Sequence, residues 1–170
     1  QPICGTGARA YGGDDGPAEQ ALINLPSSTA FDPAGRMYIS DQENQRIRVV
    51  DLDGTISTAV GTGEPGFSGD GGPAHKARIH APIGQAAPPT SRIAIDDRGT
   101  LYIADTFNNR IRKVDYTTGI ITTIAGNGEF PPNPRDATDE SVSALAVSLY
   151  WPCDVAIDSE GRVFFADTFN

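Results

Sequence analysis

Short runs of β-branched and aromatic residues, separated by glycine, aspartate and asparagine, recur along the whole chain. Their residue types and lengths are typical of β-strands, and the residues between them are typical of tight turns. Because these turns are only a few residues long, consecutive strands are expected to pair antiparallel. In the clearest stretch the pattern predicts strands at about Arg92–Asp96, Leu101–Asp105, Arg110–Asp115 and Ile120–Ala125.

The same pattern recurs in register, and the second strand shows it best. This strand reads Met37–Asp41, Leu101–Asp105 and Val163–Asp167 in the three copies, and each copy follows an acid-x-x-Gly turn. The interval between the repeated aspartates is 64 residues and then 62 residues. Repeated four-stranded antiparallel units are typical of a β-propeller, whose blades bury their faces by stacking on one another. The sequence therefore predicts an all-β fold.

The repeats divide residues 1–170 into a partial propeller of about two and a half blades. Blade 1 is expected at about 27–62, blade 2 at about 91–127 and half of blade 3 at about 153–170. The segment Ile3–Gly7 matches the ends of the fourth strands in the two complete copies. Open strand edges favour aggregation. We therefore expect a missing segment of a longer protein, or another chain, to complete the propeller.

These motifs resemble the NHL repeat. The resemblance rests on the acid-x-x-Gly turn and on the segments Tyr102–Asp105, Asn109–Val114 and Ile121–Gly128. The element Gly69–Ala74 resembles a connecting segment of exported bacterial NHL proteins. Membership of this family implies a β-propeller, but it does not imply one activity, because a single fold hosts many functions.

The chain is acidic, with a formal net charge of −9 at pH 7. A surface of this sign repels phosphate backbones, so nucleic acid is not an expected partner. No apolar stretch is long enough for a membrane span. Cys4 and Cys153 lack C-x-x-C spacing, which argues against a thiolate metal site, and they could pair only in an oxidising compartment. The start at Gln1 fits a processed or trimmed N-terminus, and an arbitrary cut in a longer chain explains it equally well. We expect an extracellular or periplasmic location.

Charged residues that recur in every copy are better explained by structure than by catalysis. Asp41, Asp105 and Asp167 each end a second strand, where aspartate accepts hydrogen bonds from turn amides. Four arginines could form a basic patch for an anionic ligand or pair with these aspartates inside the blades, and the pairing is favoured. These arginines are Arg46, Arg48, Arg110 and Arg112.

Two acidic turns, Gly12–Pro17 and Ser68–Pro73, are possible metal sites. Calcium suits carboxylates and loop carbonyls, but the turns lack the alternating acidic series of a calcium loop. Each turn precedes a short alanine-containing stretch, which favours a turn followed by a helix start. His75 and His80 are too few for a catalytic zinc site. No metal, cofactor or catalytic nucleophile is therefore predicted.

Departures from the repeat are the better candidates for binding. The second copy carries an eight-residue insertion within Ile83–Ser91, which includes Gln85, Pro88 and Pro89. The next connection is also atypical and contains Phe130. Insertions in one repeat map to loops that often form a binding face, although a neutral loop explains them equally well. Phe107 and Phe169 follow the repeated aspartate, where the first copy has Glu43, and are interpreted as covers of strand edges.

The sequence favours a binding scaffold over an enzyme. Such a scaffold would recognise a protein or an extracellular ligand through its inter-blade loops, with Gln85, Pro88, Pro89 and Phe130 as candidate contacts. The alternative is an enzyme with a site in the central channel, either a metal-dependent lyase or a lactone or ester hydrolase. Its key residues would lie in missing blades. A third interpretation is a purely structural module.

Overall fold

The computed structural model describes residues 3–84, 90–130 and 142–170, which form antiparallel sheets joined by turns and short 3₁₀ helices. The first sheet contains β1 (Gly16–Pro17), β2 (Pro26–Phe31), β3 (Met37–Asp41), β4 (Arg46–Val50) and β5 (Thr55–Val60). The second contains β6 (Ile93–Ile95), β7 (Leu101–Asp105), β8 (Arg110–Val114) and β9 (Ile121–Ala125). The third contains β10 (Pro152–Ile157) and β11 (Val163–Asp167). The 3₁₀ helices are Ala18–Gln20, Gln42–Asn44, Ala74–Lys76 and Thr106–Asn108.

Apart from β1, each sheet is an up-and-down meander in which strands that follow one another in sequence pair with each other. The strand order is β2-β3-β4-β5 in blade 1, with β1 added beside β5, and β6-β7-β8-β9 in blade 2. Strands β10 and β11 pair in the same way as the first two strands of the other blades. The prediction of an all-β propeller with four-stranded antiparallel blades is confirmed.

The blades pack face to face, and their apolar residues meet between the sheets. Inner strands of successive blades contact each other, β2 with β6 and β6 with β10. The packing between blades 1 and 2 buries Ile47, Val49, Val60, Ile79, Ile93, Leu101, Ile103 and Ile121. That between blades 2 and 3 buries Tyr102, Ala104, Ile111, Ala125, Leu149 and Val155. Stacking therefore supplies the core that a single blade cannot form.

Glycine is required at the point where each complete blade is connected to the next one. Gly61 and Gly126 follow the outer strands with φ angles of 96° and 88°. A Cβ atom on Gly126 would lie 2.2 Å from the carbonyl oxygen of Asn109, and one on Gly61 would lie 2.4 Å from that of Gln45. This close approach lets the amide of Gly61 donate a hydrogen bond to Ala74 in the next connection.

The strand directions give the propeller two distinct faces. Inner strands start where second strands end, as shown by the pairs Pro26–Asp41 and Pro152–Asp167. The inter-blade connections and the loops after the second strands therefore lie together, on what we call the connection face. The hairpin turns at 32–35 and 51–54, and their counterparts in the other blades, lie on the opposite side, which we call the turn face.

Candidate functional site

The repeated charges form buried ion pairs inside the blades. Arg48 and Arg112 are completely buried, and their Nη1 atoms lie 3.4 Å and 3.5 Å from Oδ2 of Asp41 and Asp105 respectively. Each guanidinium also binds an aspartate of the preceding connection, and for Arg112 this distance, to Oδ1 of Asp70, is 2.7 Å. The free-energy cost of burying such charges is small only when several hydrogen bonds compensate for the lost contacts with water. We call this arrangement of one arginine and two aspartates the Asp–Arg–Asp bracket.

The acidic turns thus supply counter-ions rather than free ligands. Partial burial raises the pKa of Asp14, but hydrogen bonds from Thr58 and Tyr11 and the charge of Arg48 hold it below its usual value. Asp14 and Asp70 have their oxygens occupied by these partners. The short stretches after both turns form 3₁₀ helices, as the turn-and-helix interpretation expected.

The sequence-based pairing is wrong for the other two arginines. Arg46 and Arg110 donate to the carbonyl oxygens of Asn44 and Asn108, at 3.0 Å and 2.8 Å, and not to the repeated aspartates. Their guanidinium carbons lie 3.7 Å and 3.8 Å from the ring centroids of Tyr11 and Phe67. The reason is their place at the first residue of a third strand, beside loop carbonyls that lack a strand partner.

Burial controls the charge of the repeated aspartates. It raises the pKa of Asp105 to about 6, while hydrogen bonds from Asn108, from the amide of His80 and from Arg112 act in the opposite direction. The pKa of Asp41 is raised for the same reason. Asp105 is therefore mostly ionised at neutral pH, and its burial keeps it out of reach of a ligand.

Two features are absent from the part of the chain that the structure describes. Among residues 3–84, 90–130 and 142–170, no group of three or more His, Cys, Asp or Glu side chains is arranged to hold a metal ion. In the same ranges, no helix has the length and apolarity to cross a membrane.

The connection face carries three structurally equivalent pairs of residues. In each pair the first residue donates its amide to the aspartate that ends the second strand, at 2.8, 2.8 and 2.7 Å. Its carbonyl accepts the amide of the second residue, at 3.2, 2.9 and 3.2 Å. The pairs are Asn24–Glu43, His80–Phe107 and Tyr150–Phe169. The backbone is thus constant, whereas the side chains change from polar in blade 1 to aromatic in blades 2 and 3.

The aromatic members of these pairs join with Trp151 and Phe130 into one continuous cluster. Ring centroids are 5.1 Å apart for His80 and Phe107 and 4.9 Å apart for Phe107 and Trp151. The cluster continues from Trp151 to Phe169 at 5.4 Å, from Phe169 to Tyr150 at 5.3 Å, and from Tyr150 to Phe130 at 5.2 Å. We call these residues the aromatic strip: His80, Phe107, Phe130, Tyr150, Trp151 and Phe169.

Much of the aromatic strip remains open to solvent. Phe130 is 60% exposed and Phe169 is 51% exposed, and the other members are half-buried. Partial burial lowers the pKa of His80, so its ring is neutral at neutral pH. Contiguous exposed apolar surface of this kind marks interaction sites in soluble proteins. A partner could therefore contact the exposed rings of the strip, and none of its side chains is charged at neutral pH.

Of the candidate residues from the sequence, Phe130 lies in the aromatic strip, and Gln85, Pro88 and Pro89 lie outside the described residues. The ends of the insertion that contains them are attached to blade 1. The amide of Gly84 donates to Oε2 of Glu43 at 2.7 Å, and the amide of Thr90 donates to Oε1 of Gln42 at 3.1 Å. Polar residues of blade 1 therefore bind both ends of the insertion.

The other strip residues were missed by the sequence-based reasoning. Phe107 and Phe169 were interpreted as covers of strand edges, whereas they contact Trp151 at the centre of the strip. The signal that could have found them is the change from Glu43 to phenylalanine at the same position of the repeat.

Repeated antiparallel sheets that stack face to face, with a buried ion pair inside each complete blade, define a β-propeller built from repeats. A family model described as the teneurin NHL domain matches residues 59–168. The chain belongs to the NHL-repeat family. The resemblance noted in the sequence is therefore confirmed.

Individual relatives match over most of this chain. Teneurin-3 of Danio rerio is 35% identical over 143 residues, covering 76% of this chain and 5% of its own length. The chloroplastic protein Suppressor of Quenching 1 of Arabidopsis thaliana is 29% identical, covering 86% and 14%. Human NHL repeat-containing protein 2 is 29% identical, covering 95% and 21%. The chain thus spans only a small part of each relative.

Solved structures show the same fold. An auxiliary nutrient binding protein from Bacteroides ovatus superposes with a TM-score of 0.62 at 18% identity, covering 88% of this chain and 36% of that one. One from Bacteroides thetaiotaomicron gives a TM-score of 0.57 at 22% identity, covering 82% and 34%. At these identities the likeness concerns the fold alone.

Proposed function

We propose that this protein is an interaction scaffold that binds a protein partner on its connection face, with the aromatic strip as the main contact. Membership of the NHL-repeat family supports a scaffold role in general. The observation that carries the specific proposal is the change of side chains on a constant backbone. A repeat that only built the propeller would have no need for aromatic residues at position 169, which is exposed, and at position 107, which is half-buried.

The composition of the aromatic strip suits a protein partner. Phenylalanine, tyrosine and tryptophan are enriched at the centres of protein interfaces, and tryptophan and tyrosine dominate the binding energy there. Large aromatic side chains bury about 150–250 Å² each, so a few of them supply much of the ~800 Å² per partner of a standard interface. The two ends of the insertion, Gly84 and Thr90, are bound by Glu43 and Gln42 of blade 1. The proposal also takes Gln85, Pro88 and Pro89 of the insertion as contact residues.

We also propose that the protein acts outside the cytoplasm. The net charge of −9 favours a partner surface that is neutral or basic around an apolar centre.

The experiment compares partner capture by three forms of the chain. The variant Phe107→Glu/Phe169→Glu gives both strip positions the residue that blade 1 carries as Glu43. The control Leu52→Glu adds charge at a residue that is 75% exposed on the turn face. Proteins captured from an extract of the source organism are quantified by mass spectrometry. We expect a partner that the wild type and Leu52→Glu retain and the double variant loses. A partner bound equally by all three forms would show that the strip is not the contact.

A further inference from the structure

A cavity lies between blades 1 and 2, on the side of the turn face. Its volume is about 230 Å³. A site needs only ~10–15 Å³ of such volume to admit one water, so this one admits a small organic molecule. The floor is apolar and is formed by Ala59, Val60, Leu101 and Val114. The rim is polar and is formed by Arg36, Tyr38, His75, Asp115 and Tyr116. We call this cavity the turn-face cleft.

Tyr38 differs from its counterpart in the next blade in a way that points to a ligand. Tyr102 occupies the same position in the repeat, and its hydroxyl donates to Oδ2 of Asp96 at 3.2 Å. Tyr38 lines the cleft, and its hydroxyl forms no hydrogen bond with another described residue. The hydroxyl is not among the buried polar atoms that lack a partner, so solvent reaches it and a ligand in the cleft could replace that solvent. Burial raises the pKa of Tyr38, so the hydroxyl keeps its proton and can donate.

The rim of the cleft is held in place before any ligand binds. Nε of Arg36 donates to Oδ2 of Asp32 at 2.6 Å, and its guanidinium carbon lies 5.8 Å and 5.9 Å from the ring centroids of Tyr38 and Tyr116. Tyr116 packs on Gly99, where a Cβ atom would lie 2.8 Å from the ring. Preorganised walls of this kind reduce the entropy lost on binding.

The charges around the cleft argue against an anionic ligand. Arg36 is compensated by Asp32 and lies 4.0 Å from Oδ1 of Asp51, and Asp115 lines the rim. Hydrogen bonds from Thr118 lower the pKa of Asp115, so this carboxylate is ionised. Carboxylates therefore outnumber the cationic groups, while Arg36 sits over the tyrosine rings where an organic cation would have to bind.

We propose that the turn-face cleft binds a neutral, ring-sized ligand that carries hydroxyl groups, such as a monosaccharide. One face of a sugar ring is apolar and suits the floor around Leu101, and its hydroxyls suit the Tyr38 hydroxyl, Arg36 and Asp115. An apolar pocket with a few polar groups that fix orientation is the usual form of a small-molecule site. This site is independent of the aromatic strip and of the proposed function.

The test is saturation-transfer NMR on the full chain with single probes at millimolar concentration. The probes are glucose, galactose, N-acetylglucosamine, benzoate as an anion and choline as a cation. We expect saturation of at least one sugar and of neither charged probe. Ala59→Ile introduces the residue that blade 2 carries as Ile124 and fills the cleft, so it is expected to abolish binding. Tyr38→Phe is expected to weaken binding about fivefold, as the loss of one hydrogen bond would.

Tyr102→Phe is the matched control, because it removes the equivalent hydroxyl outside the cleft. It is expected to leave sugar binding unchanged, and so is Phe107→Glu/Phe169→Glu. Circular dichroism and thermal unfolding establish that each variant is folded. The proposal is overturned if no sugar is saturated, if only benzoate or choline binds, or if a folded Ala59→Ile variant binds sugar as the wild type does.

Discussion

The interior of the blades and the connection face follow opposite rules. Inside, the Asp–Arg–Asp bracket is repeated with the same residue types and nearly the same distances, 3.4 Å for Arg48–Asp41 and 3.5 Å for Arg112–Asp105. On the connection face, the backbone is repeated just as closely, but Glu43 in blade 1 corresponds to Phe107 in blade 2. Recurrence of a side chain therefore indicates a role in the fold, and its replacement on the same backbone indicates a candidate binding position.

This contrast also explains why the buried ion pairs are poor candidates for a binding site. Arg48, Arg112, Asp41 and Asp105 are buried and paired with one another, and Asp14 and Asp70 bind the same arginines from partly exposed positions. A group that is already paired and buried has no accessible donor or acceptor for a ligand. The exposed aromatic rings have no such partners on their outer side, and their removal from water by a binding partner is favourable.

The largest effect on stability is expected from Arg112→Met. It removes the guanidinium from between Asp105 and Asp70 and leaves a buried carboxylate without its counter-ion, which costs about 3–5 kcal/mol. The control Arg110→Met removes hydrogen bonds to carbonyl oxygens near the surface and is expected to cost about 1 kcal/mol. Urea denaturation measures both. Equal losses for the two variants would contradict the role of the bracket.

A slightly smaller loss is expected from Gly126→Ala. The new Cβ atom would meet the Asn109 carbonyl oxygen at 2.2 Å, at a φ of 88°, so strain and a clash together cost about 2–4 kcal/mol. Gly119→Ala is the control, because its φ is 67° but no atom lies within 4 Å of the place that its Cβ atom would take. Thermal unfolding distinguishes them. A similar change in Tm for both would show that close approach between blades is unimportant.

Asp105 is expected to make stability depend on pH. Its pKa is about 6 in the folded protein against an ordinary 3.8, so folding favours the protonated form. The resulting stabilisation is present below about pH 4 and is lost as the pH rises through 6, by roughly 3 kcal/mol in total. The comparison is the free energy of unfolding of wild type minus that of Asp105→Asn at pH 4, 5, 6 and 7. A difference that stays constant over this range would mean that burial does not raise the pKa.

The smallest effect on stability is expected from the aromatic strip. Phe169 is half-exposed, and Phe107 is half-buried in the short 3₁₀ helix Thr106–Asn108. Phe107→Glu/Phe169→Glu is therefore expected to change the free energy of unfolding by less than about 1 kcal/mol. The same denaturation assay measures it beside Arg112→Met. A loss as large as that of the bracket variant would assign the strip to the fold rather than to binding.

The sequence predicted the strands well because they depend on local patterns. In blade 2 the predicted second strand coincides with β7, and the predicted fourth strand begins one residue before β9. The bracket was predicted only in part: the pairing of Arg48 with Asp41 was expected, but the second counter-ion was not. Asp14 is 34 residues from Arg48 in the chain, and only the packing of the connection against the blade brings them together.

Prediction of the aromatic strip would have required still more knowledge of the tertiary structure. His80 and Trp151 come from different connections and both contact Phe107, so no local pattern places them together. Phe130 was selected from the sequence for its unusual loop, and the structure adds its contact with Tyr150. Its role in binding, and that of Gln85, Pro88 and Pro89, stays a prediction.

Site-specific photo-crosslinking tests the central claim most directly. The photoreactive residue p-benzoylphenylalanine is placed at Phe107 or Phe169 on the connection face, and at Phe31 or Leu52 at or near the turn face, where both side chains are well exposed. After irradiation in an extract of the source organism, positions 107 and 169 are predicted to give adducts with the same partner protein, and positions 31 and 52 are predicted to give none. Equal crosslinking to that partner from both faces would contradict the account.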